Sequence, residues 1–533
     1  PVMLTYNLDE RNEDPLYVYL YKCIKKDIED GIVHPHDRLP SKRTLARNLG
    51  VALITVESAY AQLMAEGYLY AEPRRGYFAC DILSQPQPQN ARRDFSDFAT
   101  GKNTPSTAPE KDRKGRDPQE GNSSSQRYFT LYNLEKPELY NVKSRIRFNL
   151  ASLEMSPDSF PFSTWAKTLR DTLSLEPRSD LVSAQDCQGT KRLREAIAWH
   201  IRSVRGLEAD PDCIVVGAGA QVLYNLIIQL LERPEAVALE NPGYGRLASI
   251  YEANGIRIFP IPLDAKGISS EGLRACGADL AHITPSHQFP TGIVMPPSRR
   301  YELLAWATEK PGRYIIEDDY DCEFRLAGKP IPSLSGIDRS ERVIYTNTFS
   351  QTLGSAFRIA YMVLPAHLAR VYRERMGFYS CTVPAIDQMA LARFIEQGDL
   401  DRHINRTKTR CKAVRNALIE ALRLTPAGPY LSFENIDSGL HFLMEVHTQG
   451  EASPEENRSQ DNSASCTLLE NAMVESLLKQ DVATKSLSSY RIGADEAPDS
   501  SRCRLVISYA GLSKRDARAA AEAISRALVS FLS

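Results

Sequence analysis

The stretch VIYTNTFSQTLGSAFRIAYMVLP, Val343 to Pro365, decides how this chain folds. Its opening run of branched and aromatic residues reads as a buried strand. A polar turn follows around Ser350 and Gly354, and a second apolar strand comes after Arg358. Gln351 stands at the centre of the turn, with Arg358 seven residues beyond it. An arginine in such a turn suits a charge-assisted pair with phosphate, and taken alone it suits a surface position equally.

Outward from this stretch, Val/Ile-rich runs alternate with helical patterns from about residue 145 onward. Examples are CIVVGAG, AVALENP, DLAHITP and RYIIEDDY. That alternation predicts a mostly parallel sheet covered by helices on both faces. In RYIIEDDYD the strand ends in acids, and Asp318 and Tyr320, two apart, share a face. Ligands bind at that end of strands in open α/β sheets. A carboxylate beside a phenol suits a protonated ring nitrogen and a ring hydroxyl; an acid that merely caps a loop is the plainer reading. In VVGAGAQVLYNLIIQLL a strand, a Gly-rich turn and a helix follow one another. The N–H groups of Ala220 and Gln221 would face an anion there, although close strand–helix packing explains the glycines about as well.

The chain has 533 residues, enough for two or three domains. Hydrophobic residues make up 42% and charged residues 25%, a soluble globular composition. No apolar run approaches a membrane span, so no membrane partner is expected. The net charge of -2 says nothing about nucleic acid. Ten cysteines lie singly, with no C-x-x-C pair. This argues against a metal site and a disulfide framework and points to a reducing cytoplasm. No charged-then-apolar leader pattern opens the chain, and its start at Pro1 points to a missing true start.

Three regimes follow in order. Residues 10–81 are dense in helical patterns. Residues 82–144 are rich in Pro, Gly, Ser, Asn and mixed charge, and read as a flexible linker. Residues 145–533 form the large α/β part, ending in a small C-terminal α+β subdomain. Polar stretches near 449–465 and 493–501 read as surface insertions.

The first regime carries a helical stripe at Leu16, Leu20, Ile24 and Ile28. DRLPSKRTLARNLGVALITVESAYAQLMAEGYL then gives two helices around a tight Gly50–Val51 turn, with Ser41 as cap. PRRGYFAC reads as a hairpin with Gly76 at its bend. Three helices and a hairpin predict a winged helix-turn-helix. Arg38, Lys42, Arg43 and Arg47 fall within ten residues that contain no acid, and Arg74 and Arg75 sit at the wing tip. Such groups meet phosphates while the second helix of the pair enters the major groove. A solvated basic helix face would look the same by charge alone, and the module as a whole is slightly acidic.

This ordered pattern, PLY…DRLPSKRTLARNLGV…TV…AY…GYL…RRGYF, resembles the GntR-type winged helix. With GAGAQ, ENPGYGR, TPSHQFPTGIVMP, EDDYDCEFR and FSQTLGSAFRIAYMVLP behind it, the chain resembles MocR-type transcriptional regulators. These fuse a GntR winged helix to a fold-type-I aminotransferase-like domain that binds pyridoxal 5'-phosphate. The resemblance covers residues 15–80 and about 145–530. It implies DNA contacts by Arg38, Ser41, Arg43, Thr55, Arg75 and Gly76. It implies that Asp318 meets the pyridinium nitrogen and Tyr320 the ring hydroxyl. Ala220, Gln221, Ser350 and Arg358 would cradle the phosphate. Tyr244 would contact the cofactor, and Arg246 the effector. A head-to-tail homodimer on double-stranded DNA is implied as well.

The departures are specific. The Schiff-base lysine of the family is Gln351 here, and an amide nitrogen is not nucleophilic. Val506 stands where fold-type-I enzymes place an arginine for the substrate carboxylate, with Arg504 two residues earlier on the same strand face as a partial replacement. Phe289 stands where many of them have asparagine. Ala52 and Leu53 replace the Ser/Thr-Arg pair that usually opens the recognition helix, so base readout should differ. The expected function is a DNA-binding regulator without catalytic residues. Its large domain would sense pyridoxal phosphate, another vitamin B6 vitamer or an amino-acid-like effector without a covalent bond. An active or residual aminotransferase, and a regulator whose large domain serves only dimerisation, are the alternatives.

Overall fold

Strand β1 (Arg38–Leu39), β2 (Leu69–Glu72) and β3 (Gly76–Ala79) form the small antiparallel sheet of the N-terminal module, in the order β1-β3-β2. Helices α1 (Leu16–Glu29), α2 (Lys42–Leu49) and α3 (Leu53–Ala65) share one buried core with it. The helical stripe predicted on α1 is seen at Leu20, Ile24 and Ile28, while Leu16, in the opening turn, is half-buried and Val18 is buried. On α3, Val56, Ala59, Tyr60 and Leu63 are fully buried together. Ser41 caps α2 by accepting from the Thr44 N–H at 3.1 Å. Gly50 ends α2 at φ +64, a conformation that strains any residue with a β-carbon. The module is a winged helix.

This computed structural model describes Tyr6 and residues 15–72, 75–80, 146–326, 332–437, 439–448, 461–493 and 502–532. The linker expected at 82–144, Arg74 and most of the two polar insertions lie outside the described residues. The first insertion ends inside a helix, Asp461–Lys479. Among the described residues no helix is long and apolar enough to cross a membrane.

The large domain opens with β4 (Phe148–Asn149) and is built on eight strands. These are β5 (Ile214–Gly217), β6 (Ala236–Asn241), β7 (Arg257–Asp264), β8 (Gly267–Ile268), β9 (Leu280–Ile283), β10 (Tyr314–Asp318), β11 (Val343–Thr348) and β12 (Ala360–Val363). Their order is β5-β12-β11-β10-β9-β6-β7-β8. The pairs from β11 through β7 are parallel, whereas β12 is antiparallel to both of its neighbours. The mostly parallel sheet read from the alternation is therefore present.

Burial on both faces explains the near-continuous apolar runs. Ile344, Ala360 and Met362 enter one core cluster, and Tyr345, Tyr361 and Val363 enter the cluster on the opposite face. This is the strand period of two at work. A smaller antiparallel sheet contains β13 (Leu431–Glu434), β14 (His441–Val446) and β17 (Cys503–Ser508), with the short strands β15 (Val482–Ala483) and β16 (Lys485–Ser486) between the last two in sequence. The 25-residue helix Asp399–Arg423 packs on it and shares its core.

Register positions the site. Gly217 pairs with Ala360, Ala360 with Thr348, and Asp318 with Thr346. The turns after β5, β10 and β11 thus open at one edge of the sheet, although more than 130 residues separate the first from the last.

Candidate functional site

The turn after β5 ends in Gly219 at φ +90, and the helix Ala220–Leu230 starts there without a side-chain cap. The first N–H groups of a helix have no partner inside it, so those of Ala220 and Gln221 are available to an anion. Arg358 is exposed and holds a left-handed backbone, φ +51. Its guanidinium lies over Gly219, where a β-carbon would collide with it. No carboxylate pairs with Arg358 among the described residues. Ser350 opens a short helix, and its Oγ accepts from Thr348 Oγ1 at 2.8 Å. The Ala218 N–H is held by Thr382 Oγ1 at 2.8 Å. A cation seated over Gly219, open helix N–H groups and a hydroxyl therefore lie in the turns that follow β5 and β11.

Asp318, 8% exposed, ends β10. Its Oδ2 accepts from the Tyr224 hydroxyl at 2.7 Å and lies 3.6 Å from His282 Nε2. His282 Nδ1 in turn lies 2.9 Å from the Tyr251 hydroxyl. Tyr320 lies beyond the strand, so the turn, not the strand period, places it. Its hydroxyl is 3.1 Å from His287 Nδ1, which is 2.8 Å from Asp321 Oδ2. Phe289 stacks edge-on to Tyr320, Tyr244 and Tyr490, with centroids at 6.1, 6.0 and 5.1 Å. Gln351 is half-buried, and no protein group bonds its amide among the described residues.

Two buried ionisable groups frame this edge. Glu240, at the end of β6, accepts from the Thr284 N–H at 3.1 Å and from Gln288 Nε2 at 3.3 Å. Burial outweighs these bonds and pushes its carboxyl up to about 7. His200 lies 3.7 Å from both Glu323 and Asp401. Burial opposes its charge, but the two carboxylates prevail and raise it to about 9.

Residues 146–524 match the family of aminotransferase class I and II, and residues 16–78 match the bacterial regulatory proteins of the gntR family. An uncharacterised HTH-type transcriptional regulator of Bacillus subtilis, YdeL, is 35% identical over 83% of this chain and 87% of its own length. The probable rhizopine catabolism regulatory protein MocR of Rhizobium meliloti is 30% identical, covering 82% of this chain and 83% of that one. The chain belongs to the MocR-type transcriptional regulators. A solved multiple substrate aminotransferase from Thermococcus profundus shares the fold, with a TM-score of 0.61 at 23% identity over 75% of this chain and 95% of that one.

Within this MocR-type frame, the structure brings Asp318, Tyr320, Ser350, Arg358, Ala220 and Gln221 to the same sheet edge. Tyr244 reaches it through Phe289 and is 38% exposed. Arg246, two residues on, is exposed on the helix Gly245–Ala253. Arg504 is not brought there by any observed contact. It lies on β17 with a guanidinium nitrogen 4.0 Å from Glu434, and its N–H donates to Glu470 at 2.7 Å. In the winged helix, Arg38 reaches across to Gly76, and Arg43 is exposed on α2. Arg75 is exposed and pairs with Glu72 at 2.5 Å. Thr55 is half-buried in the first turn of α3.

Sequence reasoning missed Tyr224, His282 and Thr382. Tyr224 could have been found, because it lies four residues after Ala220 on one helix face. His282 could not: it reaches Asp318 only because β9 pairs with β10.

Proposed function

We propose that this regulator senses a vitamin B6 vitamer, or an adduct of one with an amino acid, by non-covalent binding at the sheet edge. The observation that carries this reading is Gln351, whose amide has no partner among the described residues and which lies beside the polar groups of this edge. Pyridoxal phosphate, when bound, supplies an aldehyde that condenses with amines. The residues present fit it. Arg358, Ser350 and the N–H groups of Ala220 and Gln221 suit the phosphate. Asp318, steadied by Tyr224 and His282, suits the ring nitrogen, and Tyr320 suits the ring hydroxyl. Tyr244 and Phe289 would wall the ring. Arg246 is the favoured effector carboxylate contact, and Arg504, facing Glu434, is the weaker one.

Gln351 offers no nucleophile and no titrating group, so transamination is not proposed. The test is titration of wild type and Gln351→Lys with pyridoxal phosphate. Wild type should bind reversibly and lose the vitamer on dialysis. The lysine variant should gain a visible absorption band and retain it. If the variant gains no band, the pocket is not as described; if neither protein binds any vitamer, a domain kept only for dimerisation is the better account.

The division into 10–81, 82–144 and 145–533 belongs to this proposal. So do DNA contacts by Arg38, Ser41, Arg43, Thr55, Arg75 and Gly76, and action on double-stranded DNA in the cytoplasm. A homodimer is supported by large apolar side chains left open on the large domain: Phe162 at 66%, Val182 at 83% and Phe378 at 78% exposed. Gly67 of the winged helix lies against Pro296 and Pro297 of the large domain. In the proposed head-to-tail dimer the partner's winged helix would use that same surface. Sedimentation of the full chain, with cross-linking at this contact, separates the two arrangements.

A further inference from the structure

Helix α3 is unusual for an element that enters a DNA groove. Its inner face, Val56, Ala59, Tyr60 and Leu63, is fully buried. Its tip is apolar and open: Ala52 is exposed without capping the helix, Leu53 is 40% exposed and Ile54 67% exposed. The outward side continues with Glu57, Ser58 and Ala61. The helix contains no arginine, lysine or asparagine. Its single glutamine, Gln62, is buried and bonds Glu66 within the module.

These facts narrow what α3 can read. Guanine is usually read by a bidentate arginine or lysine, and adenine by asparagine or glutamine. None of these reaches outward from α3. The apolar group that the major groove displays is the thymine 5-methyl. The surroundings of the tip argue for DNA as its occupant. Arg43 and Arg47 are exposed on α2, and Arg38 and Arg75 are exposed on the small sheet and its hairpin turn, so the module that carries the apolar tip also presents four exposed cations suited to phosphate. Glu57, one turn behind the tip, is half-buried, and it suits a cytosine amino group and not a phosphate.

We propose that Leu53 and Ile54, flanked by Ala52, read thymine methyl groups, so that this regulator selects thymine-bearing half-sites by apolar contact. The proposal rests on α3 entering the major groove. Phosphate contacts would then supply most of the affinity and set the register, while the apolar tip supplies discrimination.

Uracil differs from thymine only by lacking that methyl, which makes it the probe. Full-length protein would first select duplexes from a random pool. The selected duplex would then be made with thymine or with uracil, and both titrated by fluorescence anisotropy over a salt series. Wild type should bind the uracil duplex about fourfold more weakly for each methyl contacted, the value of burying one methylene-sized group. The salt slope should not change, because no phosphate contact is lost. The double variant Leu53→Ser, Ile54→Ser alters only open side chains and should bind both duplexes alike. Equal binding of the two duplexes by wild type overturns the methyl reading while leaving DNA binding intact. A thymine preference that survives in the double variant, with a changed oligomeric state, assigns the tip to a protein contact and also overturns it. Retention of no duplex even at low salt removes the groove-binding premise itself.

Discussion

Arg358 lays its guanidinium in the space that a β-carbon on Gly219 would need. Glycine at 219, at φ +90, is thus required by the seat of Arg358 and by the backbone. Gly219→Ala should displace Arg358 and weaken pyridoxal phosphate binding by one to two orders of magnitude, given about 1.5–3 kcal/mol for a hydrogen bond to a charged group. Fluorescence titration with pyridoxal phosphate, beside circular dichroism of the same variant, checks this. An unchanged affinity would mean that the phosphate sits elsewhere.

Asp318 is held by the Tyr224 hydroxyl at 2.7 Å. Tyr224→Phe keeps the ring and removes that bond, leaving a buried carboxylate short of one donor. Vitamer affinity should fall by roughly tenfold, at about 1.4 kcal/mol per decade. DNA affinity without vitamer should stay as in wild type. Parallel vitamer and DNA titrations would reveal a merely structural role if both fell together.

His200 gives the large domain a pH dependence. Its folded value of about 9 lies above the unfolded value of about 6.5, so the folded state holds the extra proton. The stabilisation is fully present below about pH 6.5. It is lost as pH rises through about 9. Its size is on the order of 3 kcal/mol at most. His200→Gln should lower the melting temperature most at the acidic end and flatten its slope across that window, as calorimetry between these pH values can determine.

Glu240 titrates toward the same outcome from the other charge type. Its folded value, about 7, is above the ordinary 4.5, so the folded state again binds more protons. Stability falls as pH rises from about 4.5 to 7 and stays lower above that range. Glu240→Gln should therefore be more stable than wild type at alkaline pH, by about 3 kcal/mol at most. At pH 4 it should show no such gain. Denaturant unfolding at the two pH values checks the sign.

Arg43 is exposed on α2 and Arg38 on β1. Alanine at either should reduce the slope of log affinity against log salt by about one and weaken all DNA sequences alike. Ser41→Ala should weaken DNA binding without changing the salt slope, because a hydroxyl carries no charge, and should also cost about 1 kcal/mol of module stability through the lost Thr44 cap. Salt titrations and thermal melts separate the two effects.

Much of the fold was legible because its signals are local. Branched apolar runs marked β5, β10 and β11, and Gly50 and Gly76 marked turns. The candidate site was legible to the extent that its residues stand at or just beyond strand ends, Asp318 closing β10 and Ser350 following β11 by two residues. Tyr320 was expected on the strand face of Asp318, but β10 ends at Asp318 and the following turn carries Tyr320. Arg504 shares its strand face with Val506 and lies beside Glu434. The buried pairs were not legible. Tyr224 and Asp318 are 94 residues apart, and a single sequence holds no record of which strands pair.

The sequence by itself determined the two-module architecture, the glutamine at position 351 and the apolar opening of α3. Each depends on residue type and short-range periodicity. Only the tertiary structure decided that Gly217, Asp318 and Thr348 end at one edge, that Arg358 fills the space over Gly219, and that His200 lies between Glu323 and Asp401. The physical reason is that strand register and side-chain burial are set by the packing of the whole sheet between two cores, and no local segment contains that packing.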